Sequence, residues 1–98
     1  MSAKKYTLSD LYNAFEYSLG NKRQCLDSNY CGCFNCLSLF FTYEVQEWEE
    51  PLVGQKDYSA ICPFCHKRAV IAEQSGQGVC AEYLRAVHKY WLKDLQYL

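Results

Sequence analysis

The chain has 98 residues, enough for one domain, and a core that small gains from added bracing. Ten Lys and Arg against eleven Asp and Glu give a formal net charge of −1, so the basic excess that phosphate binding draws on is missing. Nine Tyr, five Phe and two Trp argue for a compact aromatic core and against a disordered chain.

The N-terminal stretch Met1 to Tyr6 has no apolar run after Lys4 and Lys5, so no secretory leader is expected. From there, Leu8, Leu11, Tyr12, Phe15 and Leu19 recur at the spacing of one helical face, which predicts a helix over about 8–19. Thr7 and Asp10 fit a capping box at its start, and Gly20-Asn21 suits its end. Residues 21–30 read as a polar, irregular connection leading into Cys31-Gly32-Cys33. Leu37 to Phe41 reads as a strand, and Thr42 as the cap of a short helical turn through Val45 to Trp48. Pro51 and Gly54 mark a loop, Tyr58 to Ile61 a strand, and Ala69 to Ile71 another. After the turn Ser75-Gly76-Gln77-Gly78, the stripe Leu84, Val87, His88, Trp91 and Leu95 predicts a closing helix over about 80–96. The expected fold is α+β, one domain over 1–98: a small zinc-ribbon-like hairpin or sheet over about 31–72, flanked by an N-terminal and a C-terminal amphipathic helix.

Cys33-x2-Cys36 and Cys62-x2-Cys65 are two C-x-x-C turns separated by the 25 residues 37–61. Two residues between ligands let one tight turn aim both thiolates at a single ion, and two such turns complete the tetrahedron that zinc prefers with sulfur. With no leader expected, seven cysteines fit a reducing, cytoplasmic setting and a metal better than a disulfide framework. The expected ligands are Cys33, Cys36, Cys62 and Cys65, holding one structural zinc per chain. Cys31 or His66 stays open as a replacement for one of them, since Gly32 lets the backbone approach the metal either way.

Cys25, Cys31 and Cys80 are left over and read as packing residues. His88 lies on the apolar stripe of the last helix and reads as a core or interface histidine. Glu44, Glu47, Glu49 and Glu50 form a solvated acidic stretch that can also dock a basic partner. No Ser/His/Asp set, phosphate-cradling glycine loop or carboxylate pair stands out, so catalysis is not expected.

The run Cys33-x2-Cys36, Phe40, Glu47-Trp48, Cys62-Pro63-x-Cys65, Ala69-Val70-Ile71, Ser75-Gly76 and His88-Lys89-Tyr90-Trp91 resembles a family of short bacterial cytoplasmic proteins with a zinc-ribbon-like pattern. The resemblance covers about Cys33 to Trp91, and His-Lys-Tyr-Trp is its most specific piece. It implies a metal-binding cytosolic domain and no established activity. This chain departs from the pattern at His66, where Gly is common, and at Arg68, where an acidic residue is common.

Two functions compete at this point. The first is a protein-binding module, an immunity or inhibitor protein that masks a toxin or enzyme through the acidic stretch and surplus aromatics. The alternative is a nucleic-acid-binding zinc ribbon using Lys67, Arg68 and the turn-tip aromatics Phe34 and Phe64. No membrane partner is expected, because no window reaches the ~18 apolar residues of a span.

Overall fold

The computed structural model describes residues 6–92. Its elements are α1 (Leu8–Tyr17), α2 (Lys22–Leu26), β1 (Tyr30–Cys33), β2 (Leu39–Phe41), β3 (Glu47–Glu49), β4 (Ser59–Ile61), β5 (Val70–Ala72) and α3 (Ala81–Leu92), with 3-10 turns at Thr42–Glu44 and Glu73–Ser75. The architecture is α+β, small antiparallel sheets with helices at both ends. No helix among the described residues is long and apolar enough to cross a membrane.

Thr7 and Asp10 form the capping box of α1: Asp10 N–H donates to Thr7 Oγ1 at 3.0 Å and Thr7 N–H to Asp10 Oδ2 at 3.1 Å. The helix stops at Tyr17, short of the expected Leu19, because Ser18 and Leu19 donate to the carbonyls of Phe15 and Glu16 and tighten the last turn. Gly20 then reverses the chain at φ +57°, a left-handed conformation that Gly adopts without strain. The apolar stripe of α1 is only partly interior. Ala14 is fully buried, while Tyr12 and Phe15 stay exposed and lay their rings 5.7 and 5.1 Å from that of Trp91.

Residues 22–26, expected as irregular, form α2. Five residues show no usable periodicity, and this helix is held from outside. Lys22 N–H donates to Tyr58 O at 2.9 Å and Arg23 N–H to Asp57 Oδ2 at 2.8 Å. The ammonium of Lys22 lies 5.3 Å over both the Trp48 and Tyr58 rings, which fastens α2 to the β3–β4 pair.

The strands form two sheets, ordered β2-β1-β5 and β3-β4, antiparallel throughout. The helical turn expected to continue to Trp48 ends at Glu44, and Trp48 instead pairs with Ala60 in a strand. Gly32 serves α3 packing: a Cβ there would sit 2.8 Å from both Leu84 Cδ1 and Val79 Cγ1. α3 therefore lies directly on the β1 backbone, with Tyr83, Leu84 and Val87 fully buried beneath it. The end of the predicted last helix, including Leu95, falls outside the described residues.

Asn21 ties these layers together. Its buried amide donates to Tyr17 O at 2.9 Å and Val70 O at 2.8 Å, and its Oδ1 accepts from Ala60 N–H at 3.0 Å. One side chain thus joins the end of α1 to β5 of one sheet and β4 of the other.

Candidate metal centre

Both C-x-x-C segments fold into the same turn. In the first, Leu37 N–H donates to Cys33 O at 2.8 Å and Cys33 N–H to Ser38 O at 2.9 Å. In the second, His66 N–H donates to Cys62 O and Cys62 N–H to Lys67 O, each at 3.0 Å. Leu37 and His66 occupy matching positions with φ +68° and +62°, the left-handed conformation that closes each turn. Asn35 N–H and Phe64 N–H each reach the leading sulfur of their turn at 3.3 Å, and Cys65 N–H reaches Cys62 Sγ at 3.5 Å. Backbone donors aimed at sulfur favour the thiolate form that a metal needs.

The sulfurs of Cys33, Cys36, Cys62 and Cys65 lie within 4.8 Å of one another. Across the two turns, Cys33 Sγ is 3.6 Å from Cys65 Sγ and Cys36 Sγ is 3.7 Å from Cys62 Sγ. A tetrahedron with metal–sulfur bonds of about 2.3 Å has edges of about 3.8 Å, so these four residues fit a metal ion. Asn35 Nδ2 donates to Cys65 Sγ at 3.3 Å, carrying a hydrogen bond from the first turn to the second. Cys33 and Cys62 are buried, Cys65 is half-buried and Cys36 is exposed. Burial pushes the thiols of Cys33 and Cys62 up. Burial opposes ionisation at Cys36 as well, but hydrogen bonds from Ser38 and the neighbouring thiols outweigh it and bring that thiol down to about 7.

Neither open alternative joins this group. Cys31 is buried against Cys25, whose thiol is pushed up by its hydrogen bond to Cys31 and by burial, and Cys31 Sγ lies 3.5 Å from Thr42 Oγ1. His66 points to Glu47, with 3.4 Å between Nδ1 and Oε1 at an exposed site. Cys80 is exposed, its sulfur 4.0 Å from the Tyr6 hydroxyl.

His88 acts on the site indirectly, which its position on the apolar stripe did not reveal. Its Nδ1 sits 2.8 Å from Phe34 O, so that nitrogen carries the hydrogen and fastens α3 to the first turn. Three residues on, Trp91 Nε1 donates to Leu11 O at 2.6 Å and fastens α3 to α1. Of the aromatics expected at the turn tips, Phe64 is exposed, but Phe34 is only 3% exposed and packs in the core. Arg68 gives its guanidinium to Glu49 at 2.7 Å. A stacking surface built on Phe34 and Arg68 is therefore absent.

Compared with family models, curated proteins and solved structures, the chain matches none.

The left-handed backbone at His66 lends itself to a direct check. A non-glycine residue there costs about 1–2 kcal/mol, and Gly returns part of that as unfolded-state entropy. His66→Gly is expected to stabilise the metal-loaded chain by about 0.5–1 kcal/mol, read as a higher denaturant midpoint with unchanged metal content. A lower midpoint would place more weight on the exposed contact with Glu47 than its geometry warrants.

Proposed function

We propose that the chain is a small cytosolic protein-binding module braced by one structural zinc ion on Cys33, Cys36, Cys62 and Cys65. The observation that carries this reading is the convergence of four sulfurs from two matching turns. Sulfur-only donors in a tetrahedron suit zinc among the metals of a reducing compartment, and four of them leave no open position for water or substrate. The chemistry such an ion supplies is the cross-linking of two turns, so an enzymatic role has no support from this site. The use that best fits the acidic stretch and exposed aromatics is inhibition or immunity, with the chain covering a basic toxin or enzyme.

Native mass spectrometry before and after acid release, on protein purified without added metal, tests the brace. One zinc per chain is expected. Because each bound thiolate has lost its proton, and burial holds Cys33 and Cys62 protonated in the metal-free chain, affinity is expected to rise with pH and zinc to leave on acidification. A metal-free chain that is folded at neutral pH would overturn the proposal, and iron in place of zinc would redirect it towards electron transfer.

A further inference from the structure

The fold sorts the four glutamates of residues 44–50 by what is left for them to bind. Glu49 is spent on Arg68, and Glu50 projects into solvent. Glu44 and Glu47 line a cleft of about 630 Å³ between the Thr42–Glu44 turn with β3 on one side and the second cysteine turn on the other. Glu44 accepts Phe41 N–H at 2.9 Å and has no ion pair among the described residues, while Glu47 faces only His66. The walls are aromatic: Tyr43 is 81% exposed and Phe64 is 55% exposed, and both border the same cleft. Large rings held open to water beside two carboxylates, Glu44 with no ion pair among the described residues and Glu47 with only the exposed His66 contact, form a surface that an apolar partner cannot cover without stranding charge.

We propose that this cleft seats an arginine side chain of an extended, basic protein segment, an inference that rests on the protein-binding reading above. A guanidinium supplies what the cleft lacks. It can bridge the carboxylates of Glu44 and Glu47 through its fork of N–H donors and lay its plane against Tyr43 or Phe64. A nucleic-acid strand would bring phosphate against the same two carboxylates and be repelled. Since the second cysteine turn forms one wall, the ion that fixes that turn also fixes the shape of the cleft.

The test uses the metal-loaded full chain and two fluorescein-labelled peptides, one rich in arginine and its counterpart with citrulline at every arginine, followed by fluorescence anisotropy at low and moderate salt. The arginine peptide is expected to bind and the citrulline peptide to bind at least about tenfold more weakly. E44Q/E47Q, which keeps an acceptor oxygen for Phe41 N–H, is expected to lose about tenfold in affinity for the arginine peptide with its zinc content unchanged. Tyr43→Ala is expected to lose several-fold, and Glu50→Gln, outside the cleft, to change little. Equal losses in Glu50→Gln and E44Q/E47Q would reduce the effect to general charge attraction and overturn the proposal. So would equal binding of the two peptides, or self-association of the chain that E44Q/E47Q abolishes. A basic protein partner whose binding is untouched by E44Q/E47Q would overturn the cleft while leaving the broader protein-binding reading in place.

Discussion

Cys62→Ser is expected to leave the chain largely unfolded at room temperature, with far-ultraviolet circular dichroism losing its cooperative melt and bound zinc falling to near zero. Cys62 is fully buried, its sulfur accepts two backbone N–H groups, and it faces Cys36 across the gap between the turns. Structural zinc contributes on the order of 10 kcal/mol of folding free energy in small domains, against a typical total of about 5–15 kcal/mol. With the zinc brace proposed above, removing one ligand therefore takes away an amount comparable to the whole stability. Cys80→Ser, at an exposed thiol, is the matched control and is expected to change stability by less than about 0.5 kcal/mol. A Cys62→Ser protein that melts cooperatively near the parent temperature would show that the core stands without the ion.

Asn21→Ala is expected to cost about 3 kcal/mol while leaving the metal in place. Three side-chain hydrogen bonds vanish at about 1 kcal/mol each, and the buried Ala60 N–H and Val70 carbonyl lose partners they cannot replace with water. For a chain of this size that is a fall of about 10–20 °C in melting temperature. Asn21→Asp separates the roles of the amide. It keeps an acceptor for Ala60 N–H but turns a carboxylate towards the carbonyls of Tyr17 and Val70, so it is expected to be the worse of the two. Equal, small effects from both would mean that the sheets are held by their apolar contacts alone. Zinc per chain, measured alongside, distinguishes loosened layers from a lost centre.

What could be read from the sequence is what is written locally. The capping box of Thr7 and Asp10, the buried stripe of α3 and the two C-x-x-C turns each lie within a few residues, and each forms as its local chemistry suggests. What could not be read depends on partners far along the chain. α2 exists because Tyr58 O and the Asp57 carboxylate meet its first amides. Thr42 looks like a helix cap and does open a turn, but pairing with β4 draws Trp48 into a strand. Spacing alone left Cys31 and Cys33 interchangeable as ligands, although they share one face of β1. Register separates them, since Cys33 reaches the turn while Cys31 meets Cys25 and Thr42. Phe34, inside the first turn, carries no signal that its ring folds inward, whereas Tyr83, four residues before Val87, stands at helical spacing beside the recognised stripe and is fully buried.

The bond from Trp91 to Leu11 joins residues 80 positions apart, so the first helix meets its partner only after the chain through α3 has been made. On a ribosome, α1 emerges before α3 and waits for it. The metal loop has no such delay, since it needs only residues 33–65, and closing a loop of that length adds only modestly to the entropic cost of a shorter one. The two cysteine turns, and the metal proposed for them, can thus come together before α3 exists, and the later arrival of His88 and Trp91 then fastens the first helix to turns that are already set.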